Sequence, residues 1–383
     1  MGNRVDKPHY IKIFFLFFIF LLFIPAFRFF AGQICYQQAQ RFIRQQSYQR
    51  AVDILQKGSG WLPWDSRLQH RLGVLYFMLS HTAGVGSQDT FLSFALEHLK
   101  KATQLNPLEP TIAASLAYVI EFQKGSKPDE ILAAYQRVVD LSPNTVQYLM
   151  LYADKLYAFK RQKKLTKAVQ RLGRIYPGRY GVVRRKPYWN EKLERSFAEG
   201  LLQAIQENTD PRKARIALAD IQAQQHNWAD AAEQYRLALL LKQHTNTSNN
   251  YFKLTTYYLH ANTFEPAYQA ITAGLKKQQA GPINLQYLFS LFQRTGHGDL
   301  FREFYLHISS ELSFSYAEDI RLAELLIKYK KYTFALELLN KVVTERDYLA
   351  KPWLLLAKIY RSQGKSEAME RASQKGKSLL GKL

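Results

Sequence analysis

The chain has a single cysteine, Cys35, in 383 residues. No disulfide can form within it, and zinc sites built on several thiolates are excluded. One thiol also leaves the redox compartment open. Nine histidines are present, yet no H-E-x-x-H occurs and none pair at metal-ligand spacing. There is no G-x-S-x-G nucleophile elbow. Gly84-Val85-Gly86 lacks the Gly and Lys that complete a phosphate-binding loop. No long alternation of apolar and polar residues marks a strand. Acidic residues are scarce, 31 against 53 Lys and Arg, for a formal charge of +22. These absences leave no reaction centre in view, and the expectation is a protein that is not an enzyme and needs neither cofactor nor metal.

What is present is apolar and aromatic. Hydrophobic residues make up 47% of the chain and aromatics 14%, enough for a sizeable core with many ring-filled helix contacts. Residues 1–31 hold four basic residues and one acid, so +19 of the charge belongs to the remainder. Such a field favours acidic proteins, anionic lipids, acidic glycans or nucleic acid, or serves solubility.

Residues 1–12 form a short basic tail with Arg4, Lys7 and Lys12. Ile13 to Phe27 then run for fifteen residues without a charge. At about 1.5 Å per helical residue that run is short for a bilayer. Phe29, Phe30 and Ala31 lengthen it, with Lys12 and Arg28 placed to snorkel to the two interfaces. The expectation is a transmembrane anchor over 13–31. A cleaved signal peptide is the rival, but no small-x-small site follows the run. The flanking charges favour the tail inside and the rest outside. In a bacterium this means a single-pass protein of the inner (cytoplasmic) membrane with its repeats in the periplasm.

From about residue 34 the chain reads as helix after helix, with a longer period on top. Trp353, Leu356, Ala357 and Tyr360 follow W-x2-L-G-x2-Y with Ala for Gly. Tyr251, Leu254, Thr255 and Tyr258 share the spacing and lead into Ala267, Ile271 and Gly274. Leu72, Gly73 and Tyr76 open an earlier unit, closed after an insertion at Met78–Thr90 by Ala95, Leu99, Ala102 and Pro107. Further sets begin at Ala113, Leu149, Leu218 and Leu322. These residues resemble the tetratricopeptide repeat (TPR) family, over roughly 40–175 and 211–375. The resemblance implies an all-α solenoid of helical hairpins of about 34 residues. Each hairpin buries its apolar face only by stacking on a neighbour. Small residues let the paired helices approach, and bulky ones fill the groove between hairpins. The expected organisation is a first block over 34–177, a basic connector and lone helix over 178–210, and a second block over 211–383. Leu285–Phe304 fits the repeat poorly, and Gly178–Tyr188 fits none.

Two surfaces are candidates for binding. Between Lys155 and Lys186 twelve cations occur with no Asp or Glu. Lys160, Arg161, Lys163, Lys164, Lys167, Arg171, Arg174, Arg179, Arg184, Arg185 and Lys186 are the expected contacts for an anionic partner. A solvated face is the plainer account. The second surface follows from the family resemblance, in which the first helix of each hairpin lines a groove that holds peptides or helices. That implies Tyr118, Asn249, Thr256, His260, Lys358 and Arg361 as groove residues. Asn246-Thr247-Ser248 matches a glycosylation sequon and is read as a polar loop between repeats. The expected function is a membrane-tethered scaffold at the bacterial cell envelope. Its expected partners are other proteins, with the membrane engaged through the N-terminal helix. The alternatives are binding of an acidic glycan or other anionic polymer by residues 155–186, with nucleic acid not expected, and service as a regulatory subunit of an envelope enzyme.

Overall fold

The computed structural model describes residues 7–82, 87–241, 246–277, 285–309, 311–312 and 314–380, and the side chains from residue 23 onward. Among them the regular structure is α-helix with two short 3₁₀ turns and no strand. The chain divides into two compact units, Met1–Gly200 and Leu201–Leu383.

In the first unit α1 (Lys7–Arg44) pairs with α2 (Tyr48–Trp61), α3 (Ser66–Thr82) with α4 (Gln88–Leu105), α5 (Pro110–Phe122) with α6 (Pro128–Leu141), and α7 (Val146–Ala158) with α8 (Gln162–Ile175). A 3₁₀ turn at Pro177–Arg179 and α9 (Tyr180–Val183) lead to α10 (Glu191–Gln206), within which the first unit ends. The second unit pairs α11 (Pro211–Gln224) with α12 (Trp228–Leu241), and α13 (Ser248–His260) with α14 (Phe264–Lys277). It continues with α15 (Leu285–Arg294) and α16 (Phe301–Ser309), then α17 (Tyr316–Lys328) with α18 (Tyr332–Glu345), and α19 (Ala350–Ser362) with α20 (Ser366–Leu380). Each unit is a stack of TPR-like helical hairpins.

Local chemistry sets where these helices begin. Pro110, Pro128 and Pro211 occupy first turns, where a missing N–H costs nothing. Asp210 accepts from the Lys213 N–H at 3.4 Å. Ser315 and Glu318 form a reciprocal capping box on α17. The hairpins close tightly because small residues sit at their crossings. A Cβ on Gly73 would lie 2.5 Å from Leu99 Cγ of α4, and one on Gly376 would lie 2.8 Å from Leu354 Cδ2 of α19.

The repeat is also written in the turns. Asn262, Gly296, Lys330 and Gly364 all have left-handed φ, and each stands 34 residues after the last. In the first unit Gly125 and Lys160 do the same 35 residues apart. A left-handed residue reverses the chain between paired helices, so its recurrence fixes the hairpin register. Ion pairs between adjacent hairpins span nearly the same step, 32 to 35 residues. Arg161 meets Asp129 at 2.6 Å, Lys253 meets Asp220 at 2.6 Å, and Arg302 meets Glu337 at 2.8 Å.

Leu285–Phe304 is a regular member of the stack, because Gly296 falls in step between Asn262 and Lys330. It escapes the repeat pattern because α15 and α16 meet through rings instead of small residues. Phe289 and Phe301 pack at 5.2 Å between centroids, Phe292 and Phe304 at 5.1 Å, and all four are almost wholly buried. Gly178–Tyr188 is likewise not a bare connector, since it buries Tyr180, Val183 and Tyr188. Nor is α10 a lone helix: Gly200 rests on the α8 backbone, where a Cβ would lie 1.9 Å from the Gln170 carbonyl oxygen. Part of the insertion at Met78–Thr90 extends α3 to Thr82.

The expected anchor falls largely on 13–22, whose side chains lie outside the described residues. Among those described, no helix is long and apolar enough to cross a membrane. Helix α1 is unbroken from Lys7 to Arg44 despite Pro25. Residues 23–30 are all exposed, and burial begins at Ala31 and Gly32.

Candidate interaction surfaces

The basic segment is shaped by α8. Leu165, Ala168, Val169, Leu172 and Gly173 face inward at helical spacing, which turns Lys163, Lys164 and Lys167 to solvent. Several of the twelve cations are already engaged. Lys155 pairs with Glu121, Arg161 with Asp129, and Lys186 with Asp154 at 2.7 Å. Arg171 donates to the Pro143 carbonyl at 2.8 Å. Arg179 lies 5.4 Å from the centre of the Tyr176 ring. Arg174 is exposed and also engaged. Lys160, Lys163, Lys164, Lys167, Arg184 and Arg185 are exposed and make no ion pair among the described residues. Lys163 and Lys164 stand in the first turn of α8, which holds no acid. The partial positive charge of a helix N-terminus makes that placement unfavourable.

The six expected groove residues fall on α5, α13 and α19. Tyr118 on α5 is 46% exposed and belongs to an aromatic cluster spanning two first helices. Its ring packs against Phe77 of α3 at 5.4 Å and against Phe122 at 5.1 Å. His81 adds a contact to Phe77 at 4.5 Å. Phe122 is 41% exposed, so the cluster presents ring surface to solvent. Sequence reasoning missed Phe77, His81 and Phe122, because the insertion after α3 sets Phe77 and Phe122 45 positions apart and breaks the register. In the second unit His260 stacks on Trp228 at 4.2 Å. Burial holds its pKa below the usual imidazole value, helped by His297 and His226. Thr256 spends its hydroxyl on the Phe252 carbonyl at 3.0 Å. Asn249, Lys358 and Arg361 are exposed, the first on α13 and the other two on α19, so they do not gather into one site.

A recurring polar device also went unseen. The Tyr135 hydroxyl donates to Glu121 at 2.8 Å while Lys155, from the next first helix, pairs with the same carboxylate. Tyr257 and Lys253 share Asp220 at 2.7 Å and 2.6 Å. Tyr305 and Lys341 share the buried Asp319 at 2.7 Å and 3.5 Å. Burial, reinforced by the carboxylate, pushes each phenol well above the usual tyrosine range. These triads hold neutral phenols, and they clamp hairpins together rather than move protons. In two of them the sequence signal is Lys following Asp or Glu by 33 or 34 residues, as in Asp220–Lys253 and Glu121–Lys155.

Other candidates are less specific. An open cleft of about 550 Å³ beside α4 is lined by Asp89, Glu97, Lys100 and Lys124, with Lys124 paired to Asp89 at 2.8 Å. Among the described residues no group of three His, Cys, Asp or Glu is placed to hold a metal. The Asn246 side chain is buried, donates to the Leu239 carbonyl at 2.7 Å and accepts from Arg212 at 3.1 Å. An amide committed in this way is no glycan acceptor.

No family model matches the chain, and no curated protein does. Solved structures with similar helical architecture include an assembly chaperone of RpL4 (Acl4), at 14% identity and TM-score 0.28, covering 70% of this chain and 98% of that one. A monomeric mutant of IFIT1 with Gppp-AAAA is 14% identical with TM-score 0.29, covering 89% and 79%. The TPR domain of P58(IPK) is 13% identical with TM-score 0.27, covering 92% and 98%. Scores this low carry no argument about shape or ligand, so the repeat assignment rests on this chain's own hairpins, turns and ion pairs.

Proposed function

We propose that this chain is a membrane-tethered interaction scaffold at the bacterial cell envelope, which holds protein partners on the first helices of its hairpins and carries out no reaction of its own. In this reading α1 is a single-pass anchor in the inner membrane, and the repeats stand on the periplasmic side. The observation that carries the reading is the exposed ring cluster of Phe77, Tyr118 and Phe122 on adjacent first helices. Clustered aromatics left in water are what an apolar anchor from a partner covers. Tethering would raise the effective concentration of any partner on the same membrane. Support for the anchor comes from Phe23, Ile24, Phe27, Phe29 and Phe30, which are exposed on every face of a continuing helix.

A photocrosslinking amino acid at Tyr118 or Phe122 of the full chain in intact membranes tests this. We expect discrete protein adducts from both positions and none from Lys163. Adducts from Lys163 alone would sink the groove reading. If the captured partner is an enzyme, the chain is its regulatory subunit.

The second reading is an acidic glycan or other anionic polymer held by α8, favoured by the unpaired first-turn lysines Lys163 and Lys164. A polymer complex would weaken steeply as salt rises, whereas an apolar groove contact would not.

A further inference from the structure

We propose that the turn between α2 and α3, Trp61-Leu62-Pro63-Trp64, is a second membrane contact, seated in the headgroup layer beside the point where α1 leaves the folded stack. The inference rests on the anchor reading and adds a partner surface to it, the headgroup–acyl boundary of the bilayer.

The geometry begins at Gly32. A Cβ there would lie 2.4 Å from Leu62 Cδ1, and one on Gly58 would lie 2.9 Å from the Cys35 Cβ. Helices α1 and α2 are therefore locked at closest approach where α2 ends. Leu62 is buried in this contact, but its neighbours are not: Trp61 is 40% exposed and Trp64 56%. The Trp61 ring reaches toward the N-terminus of α1 and meets Phe27 edge-on at 5.7 Å. Gly32 and Phe27 are five residues apart, about 7.5 Å along the helix. The turn thus stands level with the end of the uncharged run and with the exposed Arg28.

The residue type fits that level. Among the described residues neither exposed indole N–H has an acceptor, whereas Trp353 donates to the Asp347 carbonyl at 2.9 Å. An indole with an apolar ring and an unspent donor is suited to the boundary between acyl chains and headgroups. In water the Trp61 ring, the Phe27 ring it meets and the exposed Trp64 would be left as apolar surface. A polypeptide partner is a weaker fit, because exposed apolar residues of α1 here (Phe23, Ile24, Phe27, Phe29 and Phe30) lie on all sides of the helix and not on one face. Two attachment points, one through the bilayer and one in its surface, fix the tilt of the first hairpin. The stack would then stand at a set angle to the membrane, with no swinging tether.

The test uses the full chain with Cys35→Ser, carrying Trp64→Cys labelled with an environment-sensitive dye. It is reconstituted in phosphatidylethanolamine–phosphatidylglycerol vesicles. A chain with Cys35→Ser and Lys163→Cys is the reference, and Trp61→Cys is a second site in case position 64 disturbs the turn. Flotation with the vesicles reports on the anchor independently. We expect floating chains whose position-64 dye is quenched several-fold more by shallow nitroxide lipids than the reference dye, and less by aqueous iodide. Floating chains with iodide quenching equal to the reference at both 61 and 64 would put the turn in water, overturning the second contact while the anchor stands. Protection from both quenchers means that protein covers the turn, which also overturns it. Chains that fail to float remove the anchor reading, and this inference with it.

Discussion

Gly200→Ala offers the sharpest test of how the first unit closes. The added Cβ would lie 1.9 Å from the Gln170 carbonyl oxygen, 2.9 Å from its carbon and 2.8 Å from the Arg174 nitrogen. All three are backbone atoms of α8, so no side chain can swing aside. Non-bonded carbon contacts settle near 3.5 Å, so α10 and α8 must part by about 1.5 Å. Overpacking of this kind costs about 1–3 kcal/mol, and a backbone obstacle puts it at the upper end. Replacing Gly by Ala within a helix returns about 1 kcal/mol. The net expectation is a loss of about 2 kcal/mol, or about 4–8 °C in melting temperature for a unit of this size. Helicity followed by circular dichroism during heat and urea unfolding of the full chain in detergent would measure it. Gly181→Ala is the control, since no described residue comes within 4 Å of that site, and it should be neutral or slightly stabilising. Gly73→Ala should fall between the two, because its nearest obstacle at 2.5 Å is the movable Leu99 side chain. A Gly200→Ala protein as stable as the parent would refute the close α8–α10 contact.

Three further outcomes are expected. Lys330 holds φ at 58° in a hairpin turn, which costs an L-residue about 1–2 kcal/mol. After the extra chain entropy of glycine, about 0.5–1 kcal/mol, Lys330→Gly should still stabilise, raising the urea midpoint. Lys163→Glu and Lys164→Glu should each stabilise α8 by about 0.3–1 kcal/mol at low salt, with the gain fading as salt screens it. Absence of that salt dependence would remove the helix-dipole account. Burial holds His70 and His98 below the ordinary imidazole value of 6.5, so the folded chain binds these protons less readily than the unfolded one. Their contribution is intact above about pH 6.5 and is lost as pH falls below it. Melting temperature should therefore drop between pH 7.5 and 5.5, with a shallower drop in His98→Gln.

The repeat fold was legible because its packing rule uses few residue types. Small residues at the crossings, such as Gly73, Ala102 and Ala335, are fully or nearly buried, and the spacing of their kind marks the hairpins along the chain. Leu285–Phe304 defeated the reading because phenylalanines do there what alanine and glycine do elsewhere. The turn at Gly296 was the available signal, since a left-handed residue recurs whatever fills the crossing. The basic segment was legible as a count of charges but not as a surface. Its composition could not tell that Lys155, Arg161 and Lys186 are met by acids one hairpin earlier. The ring cluster around Tyr118 was legible at one residue of four. It depends on α3 running on to Thr82, and the pattern ends earlier.

The same ladder that binds the hairpins also decides where uncompensated charge is left. A cation at the repeat step from an acid is neutralised by the preceding hairpin, so its charge costs the fold little. Among the described residues Lys160, Lys163, Lys164, Lys167, Arg184 and Arg185 lack such a partner, and three of them crowd the outer face of α8 and its first turn. Repulsion among exposed cations is screened beyond about 8 Å in physiological salt, so the fold tolerates them without requiring them. Stability alone would therefore permit glutamate at these positions, and would favour it at Lys163 and Lys164. Lysines that weaken their own helix make sense if the outer face of α8 meets an anionic surface. In that case substitutions that strengthen the helix should weaken the contact. Binding that is unchanged after both substitutions, alongside the expected gain in stability, would leave the aromatic face of α3 and α5 as the better candidate for partner recognition.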